Sequence, residues 1–232
     1  IIQKSIYGVD IEKGAVDIAR LRFWLSLVVD EITPKPLPNL DYKIVVGNSV
    51  VSKFEDEIIE IDWSTATTSV GMFGQENRLK TIELLKTISG KQHNYFHAEN
   101  SDKKNLSLEI RNLKIDLLIN QLDQMVKTKG IETKPTGNGK KIKEQTELYT
   151  KTEGWKKTIK SLDKLKKETD RKFVHFDWKL DFPDVLNPFF TDNNKGFDIV
   201  IGNPPYKTLT KNNCEDLDLL NNLYVANRKS SA

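Results

Sequence analysis

Apolar and polar positions alternate in two different rhythms along the chain. Short β-branched runs occur near both ends. Ser5–Ile11 reads as a strand ending at Asp10, Tyr42–Val46 as a second ending at Gly47-Asn48-Ser49, and Phe197–Ile201 as a third, buried one. The third is followed by Gly202, Asn203 and two prolines, Pro204 and Pro205. Neither proline has an N–H for a sheet ladder, so the strand must stop there and present Asn203 at its carboxyl end. Between the first two strands, Ala15, Ile18, Ala19, Phe23, Leu25, Leu27 and Val28 give a helix with a broad apolar face for packing on a sheet, and Trp24 reads as core. The proline-rich TPKPLPN, Thr33–Asn39, must be a loop.

The middle of the chain keeps a helical period. Residues 62–74 read as a loop, and Gln75–Ser89 as a helix through Leu79, Ile82, Leu85 and Ile88. Ser101-Asp102 then caps a long helix to about Lys129, whose stripe is Leu106, Ile110, Leu113, Leu117, Leu118, Leu122 and Met125. After the turn Thr133–Gly139, a second long helix spans about Lys141 to Asp170, with Leu148, Trp155, Ile159, Leu162 and Leu165. Two long helices on a short connection predict an antiparallel hairpin. The expected fold is therefore α/β: a partial Rossmann-like sheet from residues 1–62 and 171–232, interrupted by a helical insertion over 75–170. His175–Leu186 returns to the core, and the polar tail beyond Tyr206 reads as a loop and a short helix at Leu217–Leu220.

Charge changes this picture in one respect. The net charge of +3 conceals a basic segment, Lys127–Lys172, with 15 Lys/Arg against 7 Asp/Glu, while the remainder carries 21 against 26. A basic segment on a mildly acidic body fits a polyanion partner as well as it fits a solvated helix face. The chain's one cysteine, Cys214, excludes an internal disulfide, and its three dispersed histidines, His93, His97 and His175, give no metal-ligand set. No apolar run reaches membrane-spanning length and the N-terminus has no signal-peptide pattern, so a cytoplasmic protein without a membrane partner is expected.

The stretch FDIVIGNPPY, Phe197–Tyr206, resembles the Asn-Pro-Pro-Tyr motif of S-adenosylmethionine-dependent methyltransferases that act on amino groups, above all the DNA adenine-N6 enzymes. The resemblance implies that the Asn203 side-chain oxygen and the Pro204 carbonyl accept hydrogen bonds from the target amino group. It also implies that Pro205 stiffens the turn and that Tyr206 stacks on a base flipped out of double-stranded DNA. GVDIEKGAVDIARLRFWLSL is similar to the cofactor segment of the same family. It implies Asp10 on the cofactor ribose and Ile11 beside its adenine ring. Gly-Asn-Ser at 47–49 implies Asn48 on the adenine amino group, and Asn203 is counted at the cofactor as well as at the base. HFDWKLDFPDVL ahead of the motif resembles type IIG restriction–modification proteins, in which one polypeptide methylates and cleaves DNA. The Gly-rich cofactor loop that opens this family does not precede Ser5, and there is no nuclease signature. The chain is therefore expected to be a fragment of a longer polypeptide, inactive by itself. Two other readings remain open: a protein-glutamine methyltransferase fragment, and a non-catalytic helical interaction module. The oligomeric state is not legible.

Overall fold

The computed structural model describes residues 5–29, 40–55, 57–59, 61, 63, 72–98, 100–137, 139–187 and 196–203. The chain divides into two units, Ile1–Gly196 and Phe197–Ala232, each taken by itself.

The first unit opens with a β-α-β arrangement. Strand β1 (Gly8–Asp10) leads into helix α1 (Lys13–Val29), and β2 (Ile44–Val46) pairs parallel to β1 in the register Gly8↔Ile44, Val9↔Val45, Asp10↔Val46. Parallel strands need a crossover, and α1 supplies it. Arg20 fastens the helix to the sheet. Its Nε and Nη2 donate to the Ile44 carbonyl at 2.9 and 2.6 Å, and its Nη1 pairs with Asp41 at 2.7 Å. Behind the pair lies a small cluster of Val16, Leu40 and Ile44, with Ala19 and Phe23 packed on it. The face of α1 used is narrower than its sequence predicts: Ile18 and Leu25 are exposed. A two-residue antiparallel pair follows, β3 (Lys53–Phe54) with β4 (Glu57–Ile58), its reversal made by Glu55 at φ 54°.

Three long helices come next, α2 (Met72–His97), α3 (Asn100–Lys129) and α4 (Lys140–Lys167). The expected hairpin thus has a third long member, because the helix anticipated over 75–89 runs on to His97. The middle helix packs against both neighbours. It accordingly buries Ile110, Ile115, Leu117, Leu118, Leu122 and Met125, which cover about half of its circumference, wider than a one-sided stripe. Gln121 is buried on the same helix and donates to the buried Thr81 hydroxyl at 2.8 Å, so this polar pair satisfies itself. Helix α4 stops at Lys167, where Arg111 Nη2 donates to the carbonyls of Leu165, Glu168 and Arg171 at 2.7, 2.9 and 2.9 Å. The Leu165 and Glu168 carbonyls also accept the backbone N–H groups of Glu168 and Arg171 at 3.1 and 3.2 Å, so Arg111 adds a second donor at the helix end, where a fixed cation suits the helix dipole. The largest apolar cluster joins these helices to Phe54, Ile59, Trp63 and Leu180. Two single-turn helices, α5 (Trp178–Asp181) and α6 (Pro183–Leu186), close the described part of this unit, with Phe176, Leu180 and Phe182 buried as the sequence anticipates.

In the second unit, the expectation of a buried strand over 197–201 is not met. Residues 197–203 form no strand, and Ile199, Val200 and Ile201 are 79, 78 and 91% exposed. A strand is held by a neighbour that takes its ladder hydrogen bonds, and no described residue does so here. Among the described residues the parallel sheet is the pair β1–β2.

Candidate functional site

Two strand tips make the site. Asp10 ends β1 and is exposed; its Oδ1 accepts the Glu12 backbone N–H at 2.8 Å, a side-chain turn that starts α1. Its other carboxylate oxygen has no hydrogen-bond partner among the described residues. Ile11, next in the chain, is 69% exposed, an apolar surface at the same rim. Across the ladder, Asp10 sits opposite Val46, and the Gly47 N–H donates to the Asp10 carbonyl at 2.9 Å. Asn48 therefore follows directly on the residue bonded to Asp10. The carboxyl ends of parallel strands are where open α/β sheets bind ligands.

The Asn48 side chain is oriented by its own turn. Its Oδ1 accepts the backbone N–H groups of Val50 and Val51 at 2.9 and 3.1 Å. Both partners are obligate donors, so the atom facing them must be oxygen. The NH2 half of the amide is what remains for a ligand, and it is a donor.

A segment that the sequence did not single out as functional clasps this turn. A β-carbon on Gly47 would fall 2.4 Å from Cβ and 2.5 Å from Cγ of Phe176, so only hydrogen fits there. Ser52 Oγ donates to the Phe176 carbonyl at 2.8 Å, and Trp178 Nε1 donates to the Ser49 carbonyl at 2.9 Å. Phe176, Trp178 and Phe182 pack edge-to-face or tilted on one another with centroids 5.1–5.9 Å apart, and Tyr7 meets Phe182 edge-on at 5.0 Å. The aromatic spacing of HFDWKLDF is the signal that marks this segment; its target on the 47–52 turn is set by tertiary contacts with no local signature.

The clasp is itself anchored. Asp177 caps α5, accepting from the N–H groups of Lys179 and Leu180 at 3.0 and 2.9 Å. Asp181 accepts the Asp177 N–H at 3.0 Å and pairs with Lys114 of α3 at 2.5 Å. Burial pushes the Asp177 carboxyl up from the usual carboxylate range. Burial also pushes the His175 imidazole down, against the bond of its Nδ1 to the Lys53 carbonyl at 3.0 Å.

The structure thus brings Asp10, Ile11 and Asn48 together at one rim. Asn203 lies in the second unit and is exposed, while Pro204, Pro205 and Tyr206 fall outside the described residues. Among the described residues no helix is long and apolar enough to cross a membrane.

Comparison with known proteins decides the family. The model of the Eco57I restriction-modification methylase family matches residues 4–232. The chain belongs to that family. A protein of Methanocaldococcus jannaschii, named as a candidate type II restriction enzyme and methyltransferase, is 28% identical over 238 residues. That alignment covers 90% of this chain and 18% of the relative, so the chain spans less than a fifth of its length. No solved structure matches.

Proposed function

We propose that the chain carries the cofactor-binding rim and the target-amine motif of a DNA adenine-N6 methyltransferase, part of a type IIG restriction–modification polypeptide that acts on double-stranded DNA in the cytoplasm. The observation that carries this reading is the register Asp10↔Val46, which sets a carboxylate and an amide side by side at the carboxyl end of a parallel pair in a chain of this methylase family.

The residues present suit S-adenosylmethionine. The uncommitted carboxylate oxygen of Asp10 accepts from ribose hydroxyls, and the exposed Ile11 side chain offers its apolar surface to an adenine face. The sequence resemblance implies Asn48 on the adenine amino group, but its oxygen is already spent on Val50 and Val51, so its NH2 instead donates to a ring nitrogen on the Watson–Crick edge of that adenine. When bound, this cofactor supplies a methyl group on a positively charged sulfur. At the target base, the Asn203 oxygen and the Pro204 carbonyl accept from the two N–H bonds of the amino group, turning its lone pair away from the ring. Neither acceptor needs to take a proton outright, so holding the amine in line is the main contribution. Tyr206 gives the flipped base a stacking face, worth ~1–3 kcal/mol.

The test uses the polypeptide that carries this chain. Asn203→Ala should abolish methyl transfer to adenine while cofactor affinity stays within about twofold of wild type. Asp10→Ala should weaken cofactor binding by roughly tenfold, the loss of a charge-assisted hydrogen bond. Methyl transfer to a protein amide, or equal loss of cofactor binding and turnover in Asn203→Ala, would overturn the assignment.

A further inference from the structure

Three of the contacts made by Phe176 and Trp178 fall on residues flanking Asn48: Gly47, Ser49 and Ser52. None touches Asn48 itself. The turn that aims the Asn48 amide is therefore gripped on both sides by a segment more than 120 residues away in sequence. That segment has little freedom of its own. Phe176 and Phe182 are buried, Asp177 caps α5, and Asp181 ties it to Lys114 of α3 with both side chains over nine-tenths buried. A helix cap, a buried ion pair and three packed aromatic rings hold a strap that sends three contacts to one short turn.

We infer that residues 175–182 form a strap that fixes the direction of the Asn48 NH2, and that Trp178 is a positioning residue for recognition of the cofactor's adenine ring. The inference rests on the functional reading above. An amide on a single methylene can rotate, and its selectivity for a ring nitrogen depends on the turn staying closed. The Trp178 N–H on the Ser49 carbonyl adds a bond from outside to the turn that the Val50 and Val51 N–H groups close on the Asn48 oxygen. Supporting groups of this kind act through the residue they orient, without touching the ligand.

Trp178→Phe keeps a ring beside Phe176 and Phe182 and deletes the N–H donor together with part of the indole. Two probes separate positioning from general support: S-adenosylmethionine, and its 1-deaza analogue, in which a C–H replaces the ring nitrogen. Titration calorimetry is run on the polypeptide that carries this chain. Wild type should bind the natural cofactor about three- to tenfold more tightly than the analogue. Trp178→Phe should lose that preference, binding the cofactor weaker by the same factor and the analogue within about twofold of wild type. Ser52→Ala, which removes the bond to the Phe176 carbonyl, should shift the preference in the same direction and serves where Trp178→Phe does not fold. Equal weakening for both probes would make the strap merely structural, and unchanged affinity for both would leave it without a role. Both results overturn the inference while the functional reading stands. If wild type binds neither probe, the functional reading falls and takes the strap with it.

Discussion

Lys114 Nζ and Asp181 Oδ1 lie 2.5 Å apart, with 9% and 8% of their side chains exposed, joining the middle long helix to the strap at the rim. Such a pair adds little net stability relative to apolar residues, but breaking it strands a buried charge. Lys114→Met or Asp181→Leu should each cost about 3–5 kcal/mol in urea unfolding. The double variant Lys114→Met/Asp181→Leu should cost less than the two singles together, by about 1–3 kcal/mol of coupling. Additive costs would show that the two residues act separately.

Acid should loosen the strap through His175. Its ring Nε2 is sealed from solvent without a partner, and burial holds its pKa below the ordinary 6.5. The folded state then binds fewer protons than the unfolded state. Stability from this residue is full above pH ~6.5 and falls as pH drops below that value towards the depressed folded pKa. Asp177, raised by burial, has the opposite slope, but its window opens at its own ordinary value of 3.8 and above. His175→Gln should flatten the decline of Tm between about pH 7 and 5.5. An unchanged slope in that variant would assign the acid sensitivity elsewhere.

Two glycines predict opposite signs for one substitution. Gly47→Ala drives a methyl into Phe176 and should destabilise by about 1–3 kcal/mol, a cost of contact, since Gly47 is not among the positive-φ residues. Gly90, inside α2, has open space around its missing side chain. Gly90→Ala should stabilise by ~0.5–1 kcal/mol through helix propensity alone. Thermal melts of the two variants side by side test both.

Arg111 serves three carbonyls at the end of α4 with a single nitrogen. Arg111→Lys keeps the charge but loses the planar fork, and Arg111→Met loses both. Chemical denaturation should show a loss of about 1–3 kcal/mol for Met and an intermediate loss for Lys. Amide exchange should quicken first in the last turn of α4, near Leu165. Uniform quickening across all the helices would argue against a local cap.

The basic surface gives a salt test. Helix α4 exposes Lys140, Lys141, Lys143, Lys151, Lys160, Lys164 and Lys167. If it faces DNA phosphates, affinity should fall steeply with added salt, and Lys160→Gln/Lys167→Gln should lower the slope of log K against log salt by about 2. A slope that stays the same would return those lysines to the role of a solvated face.

What the sequence made legible follows from how local each signal is. β1, β2 and the long helices α3 and α4 declare themselves by short-range period, and Asp10 and Asn48 by standing at strand tips. The continuation of α2 to His97 has weak periodicity, since it is set by packing on α3. The exposure of Ile18 and Leu25 could not be read from α1, because apolar spacing does not say which part of a wide face is covered. Phe197–Ile201 looks like a strand from its β-branched residues, yet strand formation depends on a partner that local sequence does not name. Gly47 against Phe176 and Lys114 against Asp181 join residues 129 and 67 positions apart. No window of neighbouring residues contains either pair.

The β1–β2 ladder has three residue pairs backed by a cluster of three buried side chains, whereas the long helices share a far larger apolar interior. Opening free energies should differ accordingly, so the donor rim can breathe while the bundle stays shut. Ligand capture at that rim would then be felt as local ordering, a protection of Gly47 and its neighbours from deuterium with little change deep in α3.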